Sequence, residues 1–488
     1  MIQKFTKDLF KYLPSMIAPA IIGFITVPII THLFSPGDYG NYVLVRSTVS
    51  ILTIIVGWLS MSIIRFYPVY ERDKQLQEFY CSVIKWLLVS VLILIVIFAS
   101  ILILIKDHLT EQLYSLMLIG LPIFIFSSIF TVLQHFLRAK RQVGLYSSFS
   151  VWKSVATLSI GIALVIRFGF GIEGLLWGSV LGIAIALPLL WKLALEKFTW
   201  KTNNSLPVAR VMAKYGFPLM VGNLAAWILS LSDRYILELY RGSQEVGIYS
   251  ASYAISEKSI LLLTSLFIMA SRPIGMIIWE KEGREKSQEY LSKITRYYIG
   301  FCLPAVVGLS ILARPVISIL TVPEYYQGFR IIPLVALGGF FLGLQQRFQL
   351  GLIFQKRTNL IMMSILLSGL INLVLNIMLV PRYGYMAAAL TTFVSYMVLL
   401  FLIIVISRRF FLWEFPFKSL GKISLASIVM AAILYPLVKM LTPSLLNLLL
   451  AIPLGIVVYG ISILLLGEVR NGEKLFVKQF LKKHGIKK

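Results

Sequence analysis

Long apolar stretches follow one another along almost the whole chain, and only short polar segments separate them. A helix of about 20 apolar residues crosses a hydrocarbon core of about 30 Å. Fourteen stretches of this kind occur, so the pattern predicts an all-α integral membrane protein with 14 transmembrane helices. The polar connections are too short to hold a catalytic domain. The predicted spans are 11–33, 42–67, 80–105, 114–137, 147–167, 174–195, 214–240, 248–278, 293–320, 330–354, 360–380, 387–406, 420–440 and 447–467.

The composition excludes a soluble fold. Of the 488 residues, 58% are hydrophobic and 14% are charged, whereas a soluble domain has about 25% charged residues. Cys81 and Cys302 form no C-x-x-C pair and the four histidines are scattered, so we expect no metal site, cofactor or redox chemistry. The sequence also lacks glycine-rich phosphate loops, nucleophile elbows and H-E-x-x-H motifs. We therefore expect a protein that is not an enzyme.

Basic residues concentrate on one side of the predicted membrane. If the N-terminus is cytoplasmic, most of the 46 Lys and Arg residues fall in cytoplasmic segments, including 192–214, 279–296 and the lysine-rich tail. Because Lys and Arg favour the cytoplasmic side, the sequence predicts that both termini are cytoplasmic. This topology, with attraction to anionic membrane lipids, accounts for the formal net charge of +25. No basic and aromatic module indicates nucleic-acid binding.

The two halves of the chain repeat each other's motifs. Lys11-Tyr12-Leu13-Pro14 opens the first span and Lys214-Tyr215-Gly216-Phe217-Pro218 opens the seventh; Asp38-Tyr39-Gly40 and Glu245-Val246-Gly247 mark the turns that follow. Each repeat holds six spans, an even number, so both repeats are parallel and substrate is expected between them. The predicted organisation is an N-terminal lobe at 1–195, a cytoplasmic linker at 196–213, a C-terminal lobe at 214–406, and two extra helices with a basic cytoplasmic tail at 407–488.

Two short motifs accompany this layout of twelve spans plus two: Leu33-Phe34-Ser35-Pro36-Gly37-Asp38-Tyr39-Gly40 and Pro381-Arg382-Tyr383-Gly384. Together they resemble the polysaccharide transporter branch of the MATE-like (MOP) flippase superfamily, the Wzx-type O-antigen flippases. The resemblance implies a flippase that carries polyprenyl-diphosphate-linked oligosaccharide across the cytoplasmic membrane for polysaccharide biosynthesis, by alternating access. It also implies polymerase and assembly proteins as partners, and a central cavity walled by spans 1, 2, 7 and 8.

Ionisable residues within the spans are the candidate functional residues, because charges inside a membrane are costly. Lys85 is shallow and is expected to extend its amine to the cytoplasmic surface. The remaining cations are expected to hold the diphosphate or an acidic sugar, since guanidinium groups suit phosphate oxygens. These predicted substrate-binding cations are Arg46, Lys153, Arg234 and Lys258. Asp233 and Glu257 are expected to form ion pairs or to couple transport to a cation gradient, and Asn223, Gln134, Gln346 and Arg347 to supply polar cavity groups.

Three other functions remain open at this point. A lipid II-type flippase for peptidoglycan precursors would differ in the sugar and share the mechanism. A MATE-type multidrug or cation antiporter would require unpaired carboxylates, whereas the acids at depth, Asp233 and Glu257, each adjoin a basic residue. A membrane glycosyltransferase or polymerase would require a large outer loop or a carboxylate cluster, and the outer connections here are short. The excess of cations therefore favours an anionic substrate.

Overall fold

The computed structural model describes residues 2–196, 198–200, 205–440, 442–469 and 473. These residues form helices joined by short turns, with no strand in this part of the chain. Residues 201–204 of the predicted linker lie outside the described residues, as does the predicted basic tail from 470 onward apart from Glu473. The described residues thus give an all-helical fold, as the apolar pattern predicts.

The helices have the following bounds in chain order. They are α1 (Ile2–Leu33), α2 (Pro36–Arg72), α3 (Leu76–Leu104), α4 (Glu111–Ala139), α5 (Val143–Phe168), α6 (Glu173–Ala194), α7 (Leu206–Leu231), α8 (Asp233–Arg241), α9 (Ser243–Ile311), α10 (Ala313–Leu320), α11 (Ile332–Phe354), α12 (Thr358–Phe410), α13 (Phe417–Met440) and α14 (Leu445–Leu465). Short 3-10 helices at Lys106–His108 and Pro323–Ile331 precede α4 and α11.

Within the described residues, ten helices are long and apolar enough to cross a membrane, and the bent pair α7 and α8 would be an eleventh. The segment Ile17–Leu33 of α1 is a shorter apolar helix. Two of the long helices, α9 and α12, each consist of two helices that meet at a glycine, Gly283 (φ 83°) and Gly384 (φ 58°). Each therefore overlaps two predicted spans. The total of 14 spans and the cytoplasmic position of both termini stay predictions.

The seventh and ninth predicted spans are continuous in the sequence but broken in the structure. At Ser232 the axis bends by 42° between α7 and α8. The Ser232 hydroxyl donates there to the Ile228 carbonyl at 2.6 Å, a kind of bond that often accompanies bent helices. A second break at Leu312 separates α9 from α10. Pro315 follows it, and a proline within a helix removes one backbone donor and clashes with the carbonyl four residues earlier.

Two compact units share the chain. The first contains residues 1–251 and 365–388, and the second contains 252–364 and 389–488. In the first unit, α2 packs against α4 and α7, while α5 packs against α1 and α6. In the second unit, α13 packs against α14. The boundaries of these units differ from those of the predicted lobes at 1–195 and 214–406, and the lobes stay predictions.

Candidate functional site

Two cations of the first unit, Arg46 and Lys153, lie on α2 and α5, and both of these helices pack against α4. Arg46 lies on α2, is exposed, and its Nη1 is 3.4 Å from the Ser179 hydroxyl of α6. Lys153 lies on α5, is half-buried, and its Nζ is 5.2 Å from the ring centre of Phe130 on α4. Within the described residues neither side chain belongs to an ion pair. The first unit therefore holds two cations, on α2 and α5, that no carboxylate of the described residues pairs with.

Neutral polar groups continue from this pair along α4 and α5. Gln134 lies one turn after Phe130, and its Nε2 donates to the Ser150 hydroxyl at 3.1 Å. Ser150 in turn lies three residues before Lys153, so it shares a face of α5 with that lysine. The predicted cavity residue Gln134 is thus beside the two cations along the helices, where its amide can donate to and accept from a ligand.

Arg234 and Asp233, in contrast, form a buried ion pair at the start of α8. Arg234 Nη1 lies 2.9 Å from Asp233 Oδ1, and the two residues are 5% and 1% exposed. The same Nη1 donates to the Ser230 carbonyl at 2.9 Å. The hydroxyl of Tyr249 donates to the other oxygen of Asp233, and the Arg234 guanidinium lies 5.3 Å from the centre of the Tyr249 ring. The positive charge of Arg234 is therefore neutralised where it stands, and its predicted role in substrate binding stays a prediction.

Three other predicted residues lie on α7 and α9. Asn223 is exposed on α7, and its Nδ2 lies 3.7 Å from the sulfur of Met61 on α2. Glu257 and Lys258 are half-buried on the part of α9 that belongs to the second unit. Their predicted roles stay predictions.

The second unit contains Gln346 and Arg347 on α11, and Arg347 is the more deeply buried of the two, at 1% exposure. Its Nη1 donates to the Ser271 hydroxyl of α9 at 2.6 Å. Its guanidinium carbon lies 5.0 Å from the ring centre of Tyr298 and 5.9 Å from that of Phe267. The sequence indicated only a polar cavity residue here, whereas the structure has a desolvated cation.

A polar network that the sequence analysis did not identify as functional lies where α2, α4, α8 and α9 begin or end. Ser35 caps α2 by accepting from the Asp38 amide at 3.2 Å. Gln112 then donates to Asp38 at 2.6 Å and accepts from Asn41 at 2.8 Å. The Ser243 hydroxyl contacts both Asn41 Oδ1 at 2.5 Å and Glu238 at 2.9 Å. These bonds hold the first turns of α2 against the turn between α8 and α9.

Glycines permit the close approach at this contact. A Cβ atom on Gly40 would lie 2.0 Å from the Ser243 carbonyl oxygen, and one on Gly247 would lie 1.8 Å from the Pro36 carbonyl oxygen. Both glycines belong to the repeated motifs Asp38-Tyr39-Gly40 and Glu245-Val246-Gly247, so the repeat is the signal that could have identified them. We call this contact, from Ser35 to Thr48 and from Ser232 to Tyr249, the first contact of α2.

The other half of α2 makes a second contact, with α7. A Cβ atom on Gly216 would lie 2.1 Å from the Trp58 carbonyl oxygen, and the Trp58 ring stacks on that of Phe217 at 5.3 Å. The Ser62 hydroxyl lies 2.9 Å from the Met212 carbonyl oxygen. We call the segments 58–62 and 212–217 the second contact of α2. Both contacts of α2 are closed in this structure.

Comparison with known proteins gives matches to glycan transport proteins. The sequence profile of the polysaccharide biosynthesis protein family matches residues 5–274. The chain is 20% identical over 337 residues to the probable low-salt glycan biosynthesis flippase Agl15 of Haloferax volcanii, covering 69% of this chain and 70% of that protein. It is 20% identical over 318 residues to the succinoglycan biosynthesis transport protein ExoT of Rhizobium meliloti, covering 64% and 62%. An uncharacterized membrane protein of Methanocaldococcus jannaschii, MJ1068, is 24% identical over 248 residues, which are 50% of this chain and 45% of that protein.

Solved structures share the fold. A lipid II flippase MurJ in an inward closed conformation superposes with a TM-score of 0.77 at 19% identity, covering 92% of this chain and 97% of that chain. An inward-facing MATE family transporter of the MOP superfamily superposes with a TM-score of 0.62 at 12% identity, covering 84% and 99%. With its many apolar helices, the chain is a multi-pass membrane protein of this fold.

Proposed function

The chain belongs to the polysaccharide biosynthesis protein family, which confirms the predicted resemblance, and on that premise we propose that it is a flippase for a lipid-linked oligosaccharide. Its substrate would be a sugar unit attached to a polyprenyl diphosphate, carried across the cytoplasmic membrane. The uncompensated charges of Arg46 and Lys153 are the observation that carries this proposal.

An anionic headgroup fits this pair for an electrostatic reason. Moving a diphosphate out of water costs several kcal/mol per charge unless cations replace the lost hydration. Arg46 supplies a planar guanidinium that can donate two parallel hydrogen bonds to phosphate oxygens, and Lys153 supplies a compact charge. Ser179 and Gln134 lie near enough along the same helices to contact the first sugar. A bound anion would also relieve the repulsion between the two cations.

Alternating access at the two contacts of α2 would move the headgroup. With the N-terminus in the cytoplasm, the first contact of α2 lies on the outer side and the second lies on the cytoplasmic side. Opening the second contact would admit the headgroup, and opening the first would release it outside. In this topology 14 spans form two parallel six-helix repeats and two extra helices, and both termini are cytoplasmic. Polymerase and assembly proteins would be the downstream partners.

A lipid II-type flippase is the second candidate, and the similarity of the fold to the lipid II flippase MurJ favours it. It would use the same cations, because its substrate shares the polyprenyl diphosphate. A MATE-type antiporter for organic cations is disfavoured, because the carboxylate of Asp233 forms an ion pair with Arg234 and accepts a hydrogen bond from Tyr249.

Native mass spectrometry with a polyprenyl-diphosphate oligosaccharide would test the proposal. The wild type is compared with the double variant Arg46→Gln/Lys153→Gln and with Lys85→Gln, which removes one exposed charge on α3. Hydrogen bonds to charged groups are each worth about 1.5–3 kcal/mol, so the double variant should bind at least about tenfold more weakly. Lys85→Gln should bind as the wild type does. Equal binding by all three proteins would refute the proposed site, and efflux of a cationic dye would then favour the antiporter.

A further inference from the structure

The guanidinium of Arg347 has one fully unpartnered edge. Nη1 donates to the Ser271 hydroxyl, but Nε and Nη2 are buried and have no hydrogen-bond partner among the described residues. These two nitrogens lie on the same edge of the guanidinium plane, where their N–H bonds run parallel. This is the edge with which arginine binds a carboxylate or phosphate through two hydrogen bonds.

No carboxylate among the described residues neutralises this cation. Arg347 belongs to none of the ion pairs in that part of the chain. The ionisable groups that act on it are Tyr290, Tyr298 and Cys302, and phenols and thiols are ordinarily neutral near pH 7. The rings of Tyr298 and Phe267 offset part of the cost of burying the charge. An unpaired charge buried in a membrane protein indicates a functional site.

A small cavity opens beside this arginine. Its lining includes Ser271, Arg272, Gln346 and Arg347, with Leu350 and Ile353 as apolar walls. Its volume of about 10 Å³ is the space of about one water molecule. Arg272 is exposed and Gln346 is half-buried, so both are long side chains at the boundary of the cavity that can move. Entry of a larger anion therefore requires their displacement.

We propose that the Nε and Nη2 edge of Arg347 is an oxyanion-binding subsite within the second unit, and that it binds a group of the transported lipid. The matching chemistry is a group with two coplanar oxygens, either a phosphoryl group of the lipid diphosphate or the carboxylate of an acidic sugar. Ser271 orients the guanidinium through Nη1, and Gln346 and Arg272 contribute further donors. The inference rests on the proposed flippase function.

Binding measurements with two probes test the subsite and distinguish the two sources of oxyanion. The first probe is undecaprenyl diphosphate carrying a neutral disaccharide, and the second is the same lipid carrying a glucuronate disaccharide. The variants are Arg347→Gln, which removes the charge, and Arg347→Lys, which keeps the charge but lacks the two-donor edge. Lys85→Gln, which removes an exposed charge on α3, is the control for loss of a single cation, with an expected change of less than about threefold, because its charge is screened by solvent.

Both Arg347 variants should lose at least about 10-fold in affinity, because each removes at least one charge-assisted hydrogen bond. A loss with both probes assigns the phosphoryl group, and a loss with the glucuronate probe alone assigns the carboxylate. Wild-type affinity of Arg347→Lys for both probes refutes the subsite, and this variant decides the question if Arg347→Gln does not fold. If the wild type binds neither probe, the flippase proposal itself fails. If Arg46→Gln/Lys153→Gln weakens binding but Arg347→Lys binds as the wild type does, only the proposed Arg347 subsite fails.

Discussion

The first contact of α2 depends on the absence of two Cβ atoms, and adding one should open it. In Gly247→Ala the new Cβ would lie 1.8 Å from the Pro36 carbonyl oxygen and 3.0 Å from its Cα. These are backbone atoms, so no side-chain rotation relieves the clash. Ordinary van der Waals contact begins near 3.4 Å, and the two backbones therefore have to separate by roughly 1.5 Å.

That separation would break the polar bonds that span the contact. The Ser243 hydroxyl lies 2.5 Å from Asn41 Oδ1, and the hydroxyls of Thr48 and Tyr235 lie 2.8 Å apart. Each bond contributes about 0.5–1.5 kcal/mol, and overpacking costs about 1–3 kcal/mol. We expect Gly247→Ala to disfavour the closed conformation by about 2–6 kcal/mol. This lowers the ratio of closed to open molecules by a factor of about 30 to 25,000.

Double electron–electron resonance, which measures the distance between two spin labels, would detect this change in the ratio of closed to open molecules. Labels at Glu111 on α4 and Tyr240 on α8 are both exposed and lie on opposite sides of the first contact. The native cysteines Cys81 and Cys302 are buried and would be replaced by alanine. The Gly247→Ala distribution should move to longer distances.

Two further substitutions control this experiment. Gly144→Ala adds the same methyl group within α5, where nothing lies within 4 Å, and should leave the distances unchanged. Gly40→Ala, whose Cβ would meet the Ser243 carbonyl oxygen at 2.0 Å, should lengthen them as Gly247→Ala does. A distribution for folded Gly247→Ala that matches the wild type and Gly144→Ala would refute the reasoning.

Two further predictions concern buried charge and backbone strain. Asp233→Asn should lower the free energy of unfolding by about 3–5 kcal/mol, because Arg234 is left buried without its carboxylate. Thermal unfolding in detergent measures this loss. If the pair is structural, Asp233→Asn/Arg234→Met should recover much of the lost stability and should still bind lipid. Gly384→Ala should be more destabilising in the same assay than Gly171→Ala. Both glycines have φ of 58°, but only at Gly384 would the new Cβ meet a Glu245 oxygen, at 2.2 Å. Equal losses of stability in the two variants would contradict a role for that contact.

The helices could be predicted from the sequence because a span needs only length and apolar composition. Their interruptions could not, because each has a local cause that hydropathy does not record. The bend at Ser232 coincides with one hydroxyl that bonds a carbonyl within an apolar run. The break at Leu312 precedes a proline, Pro315, whose effect depends on its position within the helix.

The cations of the candidate site were recognisable from the sequence, but their pairing was not. Arg46, Lys153 and Arg234 all stand out as charges in apolar stretches, yet Arg234 is neutralised by its neighbour Asp233, while the other two join no ion pair in the described residues. Arg347 differs in the other direction. The sequence indicated only a polar cavity group at this position of α11, whereas the structure has a cation that is 1% exposed. Asp233 adjoins Arg234 in the sequence, but whether Arg46, Lys153 or Arg347 meets a carboxylate depends on side chains from other helices, which hydropathy and spacing do not determine.

The duplicated turn motif places a glycine on each side of the first contact of α2. Gly40 and Gly247 occupy corresponding positions in the two repeats, and each lies against a backbone carbonyl near the start of the other repeat's helix, at Ser243 and Pro36. A single methyl group on either side would therefore hold the two helices apart. Because each polar bond across the contact contributes only about 0.5–1.5 kcal/mol, these bonds favour its closed form by only a few kcal/mol. An interface of that strength can be opened by a bound headgroup whose affinity differs between the two conformations by a similar amount.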